Sequence, residues 1–467
     1  MKKINIFWAF SPILLLVFLL SLNVILFSDD ATSGANQIAL IISAMFGVLV
    51  ARNFGYKWSI LQKGIVESIS SSMSAILILL IIGSLAGTWL IAGIIPAMIY
   101  YGIQILDPSI FLFATCIICA IVASSIGSSW TTVATIGVAL IAIGKVLGIP
   151  IELTAGAIIS GGYFGDKISP LSDTTNLASA MAEVNLITHI KYMLYTTLPS
   201  IIISLILFLI IGFQFSGEID STEINAILNT IEGNFNISPL LFITPIIMII
   251  LIIKKTPPFP TLFIGTILGA ITAFICQEKV IILISGEDTF SYISAYKVII
   301  QSMFGDISIG SDLLESGGMK GMLNTIWLII CAMIFGGVME KSGFLKSIAT
   351  KIMQNAKSNG SLVASTGGTC LFFNMTAADQ YLAIIVPGRM YKEIYKKRNL
   401  APENLSRTLE DTGTVTSVLI PWNTCGAYHY GILGVSTFAY LPYCFFNLIS
   451  PIMTLLYAYA KIKIRKK

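Results

Sequence analysis

Charge is what this chain has least of: Lys, Arg, Asp and Glu make up 11% of its 467 residues, beside 55% hydrophobic residues, where soluble domains run near 25% charged. So little polar surface cannot cover the several water-soluble domains that this length would otherwise suggest. The solvent is mostly lipid, and the chain is expected to be an all-α polytopic membrane protein with the bilayer as its first partner. Histidine is almost missing too. With only His189 and His429, and no HExxH or G-x-S-x-G, neither a metalloenzyme nor a serine-hydrolase site is written in the chain, and both histidines are expected near membrane surfaces. The seven cysteines lie in apolar runs, and the CxxC of Cys116 and Cys119 has no second pair. They read as small core residues, which excludes a disulfide framework or zinc site. A net charge of +4 is too small to make nucleic acid a partner. Enzyme chemistry and a resident cofactor are not expected.

Long apolar runs are what the chain has instead. A spanning helix takes roughly 20 apolar residues, since about 30 Å of hydrocarbon is crossed at about 1.5 Å per residue. Runs near 5–27, 36–51, 71–101, 193–213, 237–253, 259–276, 322–339 and 432–458 meet that need. The first follows Met1-Lys2-Lys3 and is longer than the roughly 7 to 15 residues of a signal-peptide core, so it is expected to stay as a span with its basic end inside. Two further regions, 108–186 and 361–431, are apolar but interrupted by Gly, Pro, Ser, Thr and carboxylates.

Lysines and arginines of short loops stay cytoplasmic, and this decides how the interrupted regions run. Segment 361–388 has Lys357 on one side and Lys392, Lys396, Lys397 and Arg398 on the other, so it is expected to enter and leave from the cytoplasm as a re-entrant hairpin. Segment 108–145, flanked by Asp107 and Glu152, is expected to do the same from outside. Both termini then lie in the cytoplasm, 23 of the 28 Lys and Arg are inside, four are outside (Lys145, Lys279, Lys297, Lys320), and Lys167 is in the membrane. The acidic stretches 214–236 and 277–321, with Glu218, Asp220, Glu223, Glu232, Glu287, Asp288, Asp306, Asp312 and Glu315, read as solvated outer loops. The resulting architecture is an inverted repeat. Residues 1–213 form the first unit (hairpin 108–145, interrupted helix 152–186), 214–236 the outer loop, and 237–467 the second unit (hairpin 361–388, interrupted helix 404–431). Each unit has about five transmembrane helices besides its hairpin, an arrangement that sets transport sites at the midplane between broken helices.

A charged side chain in mid-membrane needs a partner, an ion or water. The first interrupted helix reads GAIISGGYFGDKISPLSDTTNLASA. Its glycines and Pro170 free carbonyls there, and Asp173, Thr174, Thr175 and Asn176 supply oxygens of the hard type that suits Na⁺. Asp166 and Lys167 can neutralise each other or a neighbour and stabilise the break. The second interrupted helix, LEDTGTVTSVLIPWNTCGAY, carries Asn423 and Thr424 after Pro421. Glu410 and Asp411 are expected to cap its cytoplasmic helix N-terminus. The hairpin tips add Ser128 and Thr131 in the first, and Asn374 and Asp379 in the second.

The segments GDKISPLSDTTNLASA, SSWTTVATIGVALIAIG, IWLIICAMIFGGVMEKSG, DQYLAIIVPGRMYKE and NLSRTLEDTGTVTSVLIPWNTCGAY resemble the NhaC family of bacterial Na⁺/H⁺ antiporters in the ion transporter superfamily, over roughly residues 35–460. The resemblance implies an inverted-repeat secondary transporter of the bacterial cytoplasmic membrane that moves Na⁺ and H⁺. By motif, it implies Asp173, Thr174, Thr175 and Asn176 as first-half ion ligands, and Asn374, Asp379, Asn423 and Thr424 as second-half ligands, with Ser128 and Thr131 weaker matches. Na⁺ itself is expected at Asp173, Asn176, Asp379 and Asn423, and Asp166, Lys167 and Asp411 are expected in proton coupling or support. One departure is Ala377-Ala378 before Asp379, where glycine is more usual. Relatives in the superfamily also include malate/lactate exchangers and amino-acid carriers, so a small organic acid or amino acid is the alternative cargo, and a homo-oligomer is compatible with such a fold.

Overall fold

The computed structural model describes residues 5–27, 31, 33–215, 221–254, 256–310, 314–354 and 356–466. Met1, Lys2, Lys3, Glu218, Asp220, Lys255, Asp312 and Lys467, which entered the charge argument, lie outside them, as does the side chain of Glu223. The chain is built from helices. In order they are α1 (Ile6–Phe27), α2 (Ala35–Asn53), α3 (Trp58–Ser71), α4 (Met73–Ile91), α5 (Ile94–Ile105), α6 (Pro108–Ile126), α7 (Ser129–Thr132), α8 (Val138–Val146), α9 (Ile151–Ile168), α10 (Asp173–Ala182) and α11 (Leu186–Gly212). There follow α12 (Ser221–Asn234), α13 (Ile243–Ile253), α14 (Pro258–Cys276), α15 (Glu278–Ser285), α16 (Tyr292–Phe304), α17 (Gly318–Gly321), α18 (Leu323–Lys341), α19 (Phe344–Gln354), α20 (Asn359–Thr376), α21 (Gln380–Lys397), α22 (Glu403–Thr408), α23 (Thr424–Leu433), α24 (Thr437–Tyr440) and α25 (Phe445–Tyr459). A π turn, Val133–Gly137, joins α7 to α8, and another, Leu409–Thr414, follows α22.

Among the described residues eight helices are long and apolar enough to cross a membrane, and two bent pairs raise the number to ten. The run at 71–101 is split into α4 and α5 by Gly93, which is left-handed at φ 74. The runs at 237–253 and 432–458 belong to the two bent pairs, turned by 89° and 58°. Both arms of the first hairpin segment, α6 and the helix from Ser129 to Val146, are among the eight. In α4 and α18 two-thirds of the apolar window is buried, against 18% in α1, so α4 and α18 are central and α1 is peripheral. The outward faces of α1, α11, α13 and α14 carry Phe18, Ile25, Ile202, Ile206, Ile246, Phe263 and Ile271, all exposed, which is how a lipid-facing surface reads.

Close helix packing rests on small residues, since lipid offers no hydrophobic drive for association. Gly161 and Gly165, one turn apart on α9, lie against the carbonyls of Cys116 and Ala120 on α6, and a Cβ at either would overlap them. Gly64 on α3 meets Gly337 on α18 in the same way. The helix starts are also set locally: Asp107 caps α6 ahead of Pro108, Asn185 caps α11, and Ser358 with Ser361 forms a reciprocal capping box for α20, each filling orphan amides of a first turn.

Two expectations need correction. The stretch 277–321 is more than a solvated loop: it contains α15, α16, α17 and the antiparallel pair β1 (Ile307–Ser308) and β2 (Glu315–Ser316). The Ser84 hydroxyl on α4 donates to the Met303 carbonyl at 2.8 Å, and Gly83 and Gly87 let α17 and α16 pack directly on α4. Likewise 221–234 is helical. Both histidines are fully buried in the protein, with His429 Nδ1 2.7 Å from the Cys425 carbonyl. The cysteines are all free, and six of the seven are buried.

Candidate functional site

Four helix starts converge on one cavity. Gly127, left-handed at φ 74, ends α6, and Ser128 caps α7 by accepting from the Thr131 amide at 3.2 Å. Ala378 adopts φ 57 at the corresponding tip, and Asp379 caps α21 by accepting from the Leu382 amide at 2.8 Å. An alanine therefore stands where the backbone takes the conformation that glycine adopts most readily. After the Ser169-Pro170-Leu171 break, Ser172 caps α10, and after the Pro421 break, Asn423 caps α23. The Thr424 amide donates to the Ala378 carbonyl at 3.0 Å, tying the second hairpin tip to the second break.

The cavity between these starts has a volume of about 280 Å³ and is lined by Ser128, Thr131, Asp166, Asp173, Thr174, Asp379, Gln380 and Thr424. Ser71, Ser72 and Ser74, at the junction of α3 and α4, complete its polar wall. Trp130, Tyr428, Tyr381 and Phe259 supply aromatic faces. Trp130 and Tyr428 stack with centroids 3.9 Å apart, and the Tyr428 hydroxyl donates to the Trp130 carbonyl at 3.1 Å. Three aspartates face this space, and among the described residues neither Lys nor Arg lines it. Helix N-termini offset part of that negative charge, but a cavity with three carboxylates and no fixed cation favours positive cargo.

Six of the residues expected from sequence meet here: Asp173, Thr174, Asp379, Thr424, Ser128 and Thr131. Asn374, Asn423, Thr175 and Asn176 do not line the cavity. Asn374 donates to the Gly413 carbonyl at 2.7 Å and to the Thr416 hydroxyl at 3.0 Å, while Asn423 donates to the Asn374 main-chain and side-chain oxygens at 3.0 and 3.2 Å. These two asparagines brace the second break from behind. Thr175 donates to the Lys167 carbonyl at 3.0 Å, and Asn176 to the Pro170 and Ser172 carbonyls at 3.0 and 2.7 Å, so both hold the first break.

Asp166 and Lys167 part company. Asp166 turns to the cavity and accepts from the Ser129 amide and hydroxyl at 3.0 and 2.8 Å. Lys167 points the other way and pairs with Asp411, with the Ser450 hydroxyl 2.9 Å from its Nζ. Asp411 also accepts from Thr196 at 2.7 Å and from Thr454. Glu410 and Asp411 are therefore not caps at a cytoplasmic helix end: α22 begins seven residues earlier, at Glu403, and both carboxylates are fully buried in the π turn. Sequence reasoning missed the serines of the α3–α4 junction, although the run Ser68 to Ser74 holds an unusual density of hydroxyls ahead of an apolar span. No group of three or more His, Cys, Asp and Glu suited to a resident metal occurs among the described residues.

Comparisons with known proteins agree on the kind of protein. The model of the Na⁺/H⁺ antiporter family matches residues 2–175 and 161–462. The chain is 38% identical to the malate-2H⁺/Na⁺-lactate antiporter of Bacillus subtilis, over 91% of this chain and 89% of the relative. It is 36% identical to the Na⁺/H⁺ antiporter NhaC of Alkalihalophilus pseudofirmus, over 92% and 90%, and 36% identical to the arginine/ornithine antiporter ArcD of Halobacterium salinarum, over 98% and 93%.

Proposed function

The chain belongs to the Na⁺/H⁺ antiporter family, and from that premise we propose that the three-aspartate cavity is where Na⁺ and H⁺ exchange. It is an integral membrane transporter and not an enzyme. The observation that carries the site is the lining itself: Asp166, Asp173 and Asp379 with the oxygens of Ser128, Thr131, Thr174 and Thr424, and no basic side chain among the described residues. Such hard oxygens suit an alkali cation. A carboxylate that takes a proton gives up its hold on a cation, and a bound cation favours its ionised form. Competition at Asp173 and Asp379 then couples the two fluxes, and alternating access delivers each ion to the opposite face.

The inverted repeat finds support in the order of elements. The sequence α4, α5, paired helices meeting at a left-handed residue (Gly127), broken α9 and α10, then α11, is followed by α18, α19, paired α20 and α21 meeting at Ala378, broken α22 and α23, then α25. We take the two pairs as hairpins entering from opposite faces of the cytoplasmic membrane, with both chain ends inside.

A second reading rests on size. About 280 Å³ exceeds what a single bare cation fills, and helix N-termini bind carboxylates. A small organic acid or amino acid moving with Na⁺ or H⁺ fits that space, and two of the relatives are named for such cargo. Reconstituted transport with imposed Na⁺ and pH gradients tests both. Na⁺-driven proton movement without any organic solute supports plain antiport, a requirement for malate, lactate, arginine or ornithine supports the second reading, and no Na⁺-linked flux in any arm overturns both.

A further inference from the structure

Behind the cavity wall, the π turn Leu409–Thr414 buries a carboxylate that makes no ion pair with any of the described residues. Glu410 is fully buried. Its Oε1 accepts from the Thr174 hydroxyl at 3.0 Å, and the Thr175 hydroxyl, which donates to the Lys167 carbonyl, lies 3.5 Å from it. Its Oε2 and the Thr414 hydroxyl, one π turn further on, have no hydrogen-bond partner among the described residues. The ammonium of Lys167 is committed to Asp411 and Ser450. A hydroxyl hydrogen bond does not neutralise an ionised carboxylate in the membrane interior, where an uncompensated charge is costly. Hydroxyls can rotate to present lone pairs in place of hydrogens, so Thr174 can turn from donor to ligand while Thr175, which donates to the Lys167 carbonyl, and Thr414 offer their own lone pairs, giving one carboxylate and three hydroxyls of the type that takes a hard cation. Thr174 also lines the main cavity. One side chain, Thr174, therefore touches both the cavity and the Glu410 carboxylate.

We propose that Glu410, Thr414, Thr174 and Thr175 form a second Na⁺ position, deeper than the cavity and filled through it. The proposal rests on the reading that the cavity carries Na⁺, and it makes the transporter a binder of two cations at once.

Counting bound ²²Na⁺ at equilibrium on the purified, detergent-solubilised full chain tests it. The expected result is two Na⁺ per wild-type chain and one in Glu410→Gln, with the Hill coefficient falling from above one to one. Should Glu410→Gln fail to fold, Thr414→Val keeps the carboxylate and removes one ligand, and the second Na⁺ is expected to bind about tenfold more weakly. Wild-type stoichiometry and affinity in both variants overturns the inner position. A single wild-type Na⁺ that is lost in Asp379→Asn but kept in Glu410→Gln also overturns it, while leaving the antiport site standing. No bound Na⁺ in the wild type removes the cavity reading together with this one.

Discussion

Lys167 and Asp411, 244 residues apart in the chain, form an ion pair that is wholly enclosed by protein. The pair joins the first broken helix, α9, to the π turn that follows α22, so it ties these distant segments together. Removing one partner of a buried pair leaves the other charge uncompensated, at a cost of about 3 to 5 kcal/mol. Lys167→Met is expected to lower thermal stability in detergent by that order, while the double change Lys167→Met with Asp411→Leu recovers much of the loss. A single variant as stable as wild type would show that the pair does not hold these segments together.

Asp173→Asn and Asp379→Asn test the cation site. Each keeps the size of the side chain and removes the charge, so the folded protein should survive while Na⁺-dependent proton flux in proteoliposomes falls by about tenfold or more. Unchanged flux in either variant removes that residue from the exchange.

Asn374 offers the contrasting case, because it braces the break and does not line the cavity. Asn374→Ala leaves the buried Gly413 carbonyl without its donor, for which the expected loss of stability is about 1 to 3 kcal/mol. Half-saturation for Na⁺ should move less than in Asp379→Asn. A collapse of Na⁺ affinity with stability intact would instead make Asn374 a direct ligand.

The contact of α6 with α9 gives a prediction with no bearing on ions. Gly161→Leu puts a side chain into the Cys116 carbonyl, and overpacking of this kind costs about 1 to 3 kcal/mol. Gly368, whose surroundings are open, is the control: Gly368→Ala should leave the thermal midpoint near that of wild type.

Much of this was legible in the sequence because the signals are local. The spans follow from uninterrupted apolar runs, the breaks at Pro170 and Pro421 from residues that cannot continue a helix, and Asp379 from a carboxylate isolated beside apolar neighbours. The partner of Lys167 was not legible, since nothing near it in sequence distinguishes adjacent Asp166 from distant Asp411. Glu410 was misread for a related reason: an acidic pair ahead of a glycine and a proline looks like a helix start, and only the packing of α10 against the π turn shows it buried beside Thr174. The helices of 277–321 are hidden because, at 8, 13 and 4 residues, they fall short of a membrane span, and what makes them part of the structure is the line of glycines on α4 that receives them.

Ala378 gives the two hairpin tips unequal compliance. Held at φ 57, an alanine sits in a narrow well that costs about 1 to 2 kcal/mol to occupy and has few neighbouring minima, while Gly127 reaches a broad range of angles freely. When cargo enters, the Gly127 end can flex toward it, whereas the Ala378 end either stays put or moves as a block with Asp379 and, through the Thr424 amide, with the start of α23. The asymmetry turns two similar jaws into an anvil and a hammer.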